Sequence, residues 1–375
     1  MAVVQGNYDS KFAKVAEAAG EMLDNGEDLG SSVTVLLEGR PVVDIWGGFA
    51  EEGRPWERDT ITNVWSTTKT MTALCLLILI DRGHVDPDAP VATYWPEFAA
   101  NGKDGVLVWH LMSHASGVSG WAQPVTMSDL YDWEKSTGML AAQAPWWEPG
   151  TAMGYHALNY GHLIGEVVRR VTGRSLGRFF ADEVAGPLGA DFHIGLPESE
   201  FARIAPVIPP PPLPLPEGTD PESIVMKTFG GPPAQAEASW TTPWRTAEIG
   251  AANGHGNARS VARAQAVIAN GGEVDGVRLL SKDTLDLVFE ERIAGIDQVL
   301  GVDLRFGLGY CLQADAQPYI PTGRVGFWGG WGGSAIINDA DRNLTISYMM
   351  NKMSGGLVGS RATEAIVTAV YAALG

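Results

Sequence analysis

A serine and a lysine three positions apart stand directly before the apolar run of residues 71–80, in the tetrad Ser66-Thr67-Thr68-Lys69. Residues three apart on a helix lie on the same face, so the Lys69 amine would reach the Ser66 hydroxyl. A lysine whose pKa is lowered by apolar neighbours can take the hydroxyl proton, and the unpaired N–H groups of a first helical turn can bind an oxyanion. The tetrad therefore predicts nucleophilic catalysis by Ser66. The alternative is a solvent-facing lysine on an ordinary core helix.

Tyr155, at the entry to the helix predicted for residues 158–172, is the next candidate, and it follows the turn Trp146-Trp147-Glu148-Pro149-Gly150. Beside a lysine ammonium a phenol can ionise, and the phenolate is the base that a Ser-Lys pair needs. Taken alone, a tyrosine is more often a core aromatic residue. We interpret Tyr155 as the proton-transfer partner of Lys69.

A glycine-rich segment, Gly326-Phe327-Trp328-Gly329-Gly330-Trp331-Gly332-Gly333-Ser334, lies between two predicted strands. Glycines let a substrate approach a strand closely and leave N–H groups free to point at it. A phosphate-binding loop is disfavoured because no Lys-Ser or Lys-Thr follows and no helix begins there. The remaining alternative is a β-bulge with a turn.

In this order and at these separations, the three elements resemble the class C β-lactamase-like serine hydrolases, and most closely the family VIII carboxylesterases. Two more stretches, residues 109–117 and 253–263, resemble that family's Leu-Leu-x-His-x-Ser-Gly segment and its glycine-rich turn with the following helix. The resemblance covers nearly the whole chain. It implies that Ser66 is the acylated nucleophile and that Lys69 and Tyr155 transfer the protons.

The resemblance also implies a role for the glycine-rich segment. Trp328, Gly329 and Gly330 replace the Lys-Thr-Gly motif of other branches, and the backbone N–H groups of Ser66 and Trp331 form the oxyanion hole. Two departures from β-lactamases favour neutral esters. Ala157 stands where their Tyr-x-Asn motif has its amide, and Trp328 stands where they keep a cation for a substrate carboxylate.

Aromatic residues are frequent in the regions that the resemblance places around the cleft. Core packing is the alternative role for each of them. The residues predicted to line a substrate pocket are Trp121, Trp147, Trp240, Trp244 and His255.

Two further motifs suggest other chemistry and are set aside. Gly173-Arg174-Ser175-Leu176-Gly177 matches the Gly-x-Ser-x-Gly nucleophile elbow, but a predicted helix rather than a strand precedes it, so Ser175 is predicted to be a helix N-cap. His110 and His114 have the spacing of a metal pair, yet no third ligand follows at a suitable distance. We predict neither a metal site nor a cofactor.

The elements that must position these residues come from both ends of the chain. Alternating apolar residues predict strands at 33–37, 42–46, 306–312, 325–328, 334–338 and 344–350, with helices at 10–25, 158–172, 176–185 and 360–374. We expect an α+β, β-lactamase/transpeptidase-like fold in which one antiparallel sheet is flanked by helices. Residues 1–85 and 256–375 would form the sheet domain, and residues 86–255 an inserted helical domain with a proline-rich loop at 206–221.

Composition limits the class of partner. The 375 residues carry a net charge of −18 and no basic run, which excludes nucleic acid and anionic membranes as expected partners. The sequence shows no export signal and no stretch long and apolar enough to span a bilayer, so a cytoplasmic location is predicted.

The sequence thus predicts a serine carboxylesterase that acts on short-chain or aryl esters as small-molecule substrates. Three alternatives stay open: an acyltransferase to an alcohol, a β-lactamase or DD-peptidase, and a catalytically silent protein used for sensing or assembly. The intact set Ser66, Lys69 and Tyr155 argues against a silent protein. The oligomeric state does not follow from the sequence.

Overall fold

A computed structural model describes residues 3–211, 220–233, 235–356 and 359–375. Fourteen strands lie within these ranges, and ten of them form one antiparallel sheet. The strands are β1 (Val4–Tyr8), β2 (Gly30–Leu37), β3 (Arg40–Glu51), β4 (Arg54–Pro55), β5 (Thr62–Asn63), β6 (His255–Gly256), β7 (Glu273–Val274), β8 (Val277–Arg278), β9 (Ile293–Ile296), β10 (Asp303–Phe306), β11 (Cys311–Leu312), β12 (Val325–Gly329), β13 (Ala335–Asp339) and β14 (Leu344–Met350).

The helices of the same ranges flank this sheet or lie between its two sequence halves. They are α1 (Ala13–Asp24), α2 (Thr68–Asp81), α3 (Val108–Met112), α4 (Met127–Tyr131), α5 (Trp133–Ala142), α6 (Tyr160–Thr172), α7 (Leu176–Phe180), α8 (Gly186–Leu188), α9 (Ile224–Phe229), α10 (Thr242–Thr246), α11 (Ala258–Ala269), α12 (Lys282–Phe289) and α13 (Arg361–Leu374). Short 3₁₀ turns join several of them, and one turn of π-helix connects α7 to α8.

The sheet joins the two chain ends, as the sequence predicts. Its order is β1-β3-β2-β14-β13-β12-β11-β10-β9, with β4 on the edge of β3. The junction is the β2–β14 pair, in which Val35 lies opposite Ile346. The α+β sheet architecture is therefore confirmed.

One predicted strand, residues 306–312, is wrong in detail. The structure divides it between β10 and β11, which pair with each other across a tight turn. Gly307 N–H donates to Tyr310 O at 3.0 Å, and Gly309 takes a left-handed φ of +84°. Because glycine enters that conformation at little cost, the chain reverses here instead of continuing.

Both faces of the central strands are covered, which explains why β2 is buried along almost its whole length. On one face Val33 and Ile45 pack near α1, and on the other Ser32 Oγ accepts the N–H of Ala258 at the start of α11. Helix α2 lies deeper still, because all of its residues from 68 to 79 are buried. A helix that is apolar all round is expected in such a central position.

Helices α3 to α10 occupy the segment predicted as an inserted domain, and the domain boundaries themselves stay a prediction. Of the proline-rich loop, residues 212–219 lie outside the described residues. In the described part, Ile208 pairs with the segment after β14, since its N–H donates to Asn351 O at 2.7 Å. No helix in the described ranges is both long and apolar enough to cross a membrane.

Candidate active site

Ser66 lies on a 3₁₀ turn, Trp65–Thr67, that leads directly into α2. Lys69 is the second residue of α2, and its Nζ lies 3.1 Å from Ser66 Oγ. The contact predicted from the three-residue spacing is therefore present. Trp65, the residue before the serine, has a left-handed φ of +51°, a strained conformation for a bulky side chain.

Neighbouring segments hold this strained turn in place. Ser334 Oγ donates to Val64 O at 2.8 Å and lies 3.0 Å from Thr67 Oγ1. The Trp65 ring packs against the rings of Trp244 and Trp331, with centroid distances of 5.6 and 5.1 Å. The position of Ser66 is thus determined by packing on both sides of the turn.

Lys69 is 2% exposed and has three oxygen neighbours. Its Nζ donates to Ala157 O at 2.8 Å and to Ala251 O at 2.9 Å, besides its contact with Ser66. Burial lowers the pKa of the Lys69 ammonium well below its ordinary value, because the charged form loses its hydration. A neutral amine has two N–H groups for the two carbonyls, so its lone pair is left for the proton of Ser66.

Tyr155 lies beside both residues. Its hydroxyl hydrogen-bonds to Ser66, and Lys69 Nζ lies 4.6 Å from the centre of its ring. Burial raises the pKa of the Tyr155 phenol. Its hydrogen bonds with Ser66 and Trp328 oppose that rise, but only in part. The expectation of a resting phenolate is therefore not supported, since burial favours a neutral phenol beside a neutral amine.

The glycine-rich segment forms the end of β12 and the turn into β13. Trp328 Nε1 donates to Tyr155 Oη at 3.4 Å. A Cβ on Gly330 would collide with the Val64 carbonyl, so only glycine allows this turn to approach the Ser66 segment. Within the described ranges no acceptor contacts the N–H of Trp331 or of Ser66.

The five predicted pocket residues differ in burial and in their neighbours. Trp147 is partly exposed near His156, and Trp240 is 46% exposed with its Nε1 on Val207 O. Trp121, Trp244 and His255 are buried, the last two completely. Trp244 and His255 have no accessible surface, so the structure gives no support to a direct contact of either side chain with substrate. The pocket roles of Trp121, Trp147 and Trp240 stay predictions.

Trp244 and His255 instead support the nucleophile segment. Trp244 Nε1 donates to Asn63 Oδ1 at 2.9 Å, and His255 pairs with Asn63 in the β5–β6 ladder. Ser175 is confirmed as an N-cap, since its Oγ accepts the N–H of Arg178 at the start of α7.

Sequence reasoning missed four groups around the reacting atoms. The two carbonyls of Ala157 and Ala251 carry no side-chain signal at all. His114 lies in a stretch that the resemblance had marked, but it was considered only as half of a metal pair. Asp297 is buried behind Tyr155, in the loop between β9 and β10, where no motif pointed to it.

Comparison with known proteins places this geometry among serine hydrolases. The Beta-lactamase family model matches residues 15–370. The chain is 36% identical over 377 residues to the esterase/beta-lactamase LipL of Mycobacterium tuberculosis, covering 95% of this chain and 84% of that protein. It superposes with a TM-score of 0.93 on the crystal structure of a family VIII carboxylesterase, at 40% identity over 99% of this chain and 100% of that one. A penicillin-binding protein homologue from Caulobacter crescentus gives the same TM-score and coverage at 35% identity.

Proposed function

This chain belongs to the Beta-lactamase family of serine hydrolases, and we propose that it hydrolyses short-chain or aryl carboxylic esters through an acyl-enzyme on Ser66. The observation that carries the proposal is the contact of 3.1 Å between Lys69 Nζ and Ser66 Oγ, in a site where burial lowers the pKa of the amine. The esterase named among the relatives and the carboxylesterase among the similar structures support the same substrate class.

Acylation begins when Ser66 Oγ attacks the ester carbonyl carbon and its proton passes to the Lys69 amine. The carbonyl oxygen becomes an oxyanion that accepts from the N–H groups of Ser66 and Trp331. As the tetrahedral intermediate collapses, Tyr155 gives its proton to the leaving alkoxide and takes one back from the Lys69 ammonium. The alcohol leaves with the proton of Tyr155, a proton from the Lys69 ammonium replaces it, and the unit returns to its neutral form.

Deacylation runs the same path with water in place of the alcohol. A water molecule attacks the acyl carbonyl carbon while the neutral Lys69–Tyr155 unit takes one of its protons. The unit then returns that proton to Ser66 Oγ as the ester bond breaks. The carboxylic acid is released, and Ser66, Lys69, Tyr155 and the oxyanion hole have served both half-reactions.

The side chains facing the reacting atoms favour neutral esters over β-lactams. Ala157 contributes its carbonyl to Lys69 and otherwise offers only a methyl group. Trp328 offers an indole N–H where a β-lactamase keeps a cation. Lys69 and His114 both contact the Tyr155 ring, but burial lowers the pKa of each and so disfavours its positive charge. A lactam carboxylate and acylamino group would find no dedicated partner.

We therefore expect kcat/KM for p-nitrophenyl acetate to exceed that for nitrocefin by a factor of about 10²–10⁴. Each missing hydrogen bond to a charged or polar substrate group removes about 1.5–3 kcal/mol, and two such groups are absent. Steady-state assays on the same enzyme preparation, with phenyl and longer-chain p-nitrophenyl esters alongside, measure the ratio. A nitrocefin value within about tenfold of the ester value would contradict the assigned specificity.

Replacing the indole donor tests the role of Trp328. We expect Trp328→Phe to lower kcat for p-nitrophenyl acetate by about tenfold with KM nearly unchanged. The lost hydrogen bond is to the Tyr155 oxygen, which becomes negatively charged during the reaction, but at 3.4 Å it is long and therefore weak. Trp133→Phe is the matched control, because it removes an indole N–H that binds Glu166 away from the site. Equal losses in both variants would argue against a specific role for Trp328.

A further inference from the structure

Two buried side chains accept the backbone N–H groups of consecutive residues, Tyr155 and His156. Asp297 Oδ1 accepts from Tyr155 N at 3.1 Å, and His114 Nδ1 accepts from His156 N at 3.1 Å. We propose that His114 and Asp297 are positioning residues that hold the Tyr155 hydroxyl in reach of Ser66. The inference rests on the proposed function, since it takes Tyr155 to be the proton-transfer group.

The segment that carries Tyr155 has no regular structure to hold it. Helix α6 begins only at Tyr160, so residues 153–157 receive no helical hydrogen bonds. Their backbone groups are bound instead by other parts of the chain, as when Gly154 N–H donates to His114 O at 3.0 Å. A displacement of about 1 Å at a reacting group can lower a rate by about 10², so whatever fixes this segment affects catalysis.

The surroundings of His114 favour a neutral ring that accepts a hydrogen bond at Nδ1. It is 2% exposed, and its ring packs against those of Tyr155, Tyr160 and Trp328 at centroid distances of 5.0, 4.9 and 6.3 Å. Because Nδ1 accepts a hydrogen bond, the ring proton belongs on Nε2. Burial and the nearby Lys69 and His156 hold the pKa of His114 well below its ordinary value, which keeps Nδ1 free to accept.

Asp297 fixes the other side of the segment. The residue is fully buried, and its Oδ1 also accepts the N–H groups of Val299 and Leu300, both at 2.8 Å. The next residue, Gln298, donates its N–H to Met153 O at 2.9 Å. The loop between β9 and β10 is therefore bound to the tyrosine segment at two successive points.

Paired substitutions distinguish the loss of a hydrogen-bond acceptor from the loss of side-chain volume. His114 has a left-handed φ of +60°, which asparagine and glycine both tolerate. His114→Asn puts Oδ1 in the place of Nδ1, whereas His114→Gly has no acceptor. We expect kcat for p-nitrophenyl acetate to fall by tenfold or more in His114→Gly, with KM within about twofold, and to stay within about threefold of the parent in His114→Asn.

A pair of Asp297 variants tests the inference independently if His114→Gly does not fold. Asp297→Asn keeps the Oδ1 acceptor and Asp297→Ala removes it, so only the alanine variant is expected to lose tenfold or more in kcat. His162→Asn is the control for loss of a buried histidine, because His162 binds Leu130 O away from the site. Its kcat is expected to match that of the parent.

Combination with Tyr155→Phe distinguishes positioning from a general structural role. Once the tyrosine hydroxyl is absent, His114→Gly should lower kcat by less than about twofold more. Parental kcat in both His114→Gly and Asp297→Ala, or an undiminished loss in the Tyr155→Phe background, would overturn the inference. Phosphonate labelling of the parent enzyme tests the proposed function separately. Labelling at Ser66 would support its assignment as the nucleophile even if the variants show that His114 and Asp297 are not positioning residues.

Discussion

Ser66→Ala is expected to lower kcat for p-nitrophenyl acetate by a factor of about 10⁴ or more while leaving the fold intact. Lys69 Nζ and the Tyr155 hydroxyl both converge on Ser66 Oγ, so removal of this hydroxyl takes away the nucleophile that they would activate. Intact-mass spectrometry after treatment with a phosphonate ester should show one adduct on the parent enzyme, mapping to Ser66 in the digested protein. The alanine variant should show none.

Ser175→Ala is the matched control for this substitution. Ser175 lies in the Gly-x-Ser-x-Gly sequence but caps α7, and its hydroxyl donates to Glu248 at 2.7 Å. We expect unchanged labelling and kcat, with a loss of about 1 kcal/mol in the free energy of unfolding from the missing cap. Labelling of Ser175, or parental activity in Ser66→Ala, would refute the assignment of the nucleophile.

Lys69→Ala and Tyr155→Phe are each expected to lower kcat by a factor of about 10³ or more, and the double variant to be little worse than either. The reason is that the two side chains share one path for the proton. Lys69 takes it from Ser66, Tyr155 delivers it to the leaving alkoxide, and neither step completes a turnover alone. Single-turnover acylation rates for the three variants measure the coupling.

A buried lysine elsewhere in the chain serves as the control. Lys103 is fully buried, and its Nζ donates to the carbonyls of Ala100, Ala141 and Gln143. Lys103→Ala is expected to lower stability, because those carbonyls lose their donor, but to leave the acylation rate nearly unchanged. Independent losses that multiply in Lys69→Ala with Tyr155→Phe would show instead that the two residues perform separate steps.

Local features of the chain predict the contact between the candidate nucleophile and its base. The relation of Ser66 to Lys69 follows from the pitch of a helix, which brings residues three apart to one face whatever surrounds them. Alternating apolar residues likewise predicted the central strands, with β14 matching the predicted residues 344–350. The same logic failed at 306–312, where a left-handed Gly309 reverses the chain inside an otherwise strand-like run.

Only the tertiary structure decided which distant groups contact Lys69 and Tyr155. The carbonyl of Ala251, which takes one N–H of Lys69, lies 182 residues away in the chain, and the carboxylate of Asp297 lies 142 residues from the Tyr155 N–H that it accepts. No local pattern can specify such pairs, because each depends on how distant segments pack. Packing likewise sets the direction in which the pKa of Tyr155 moves. Lysine next to tyrosine suggested a phenolate, but burial removes most of the water that would stabilise either charge.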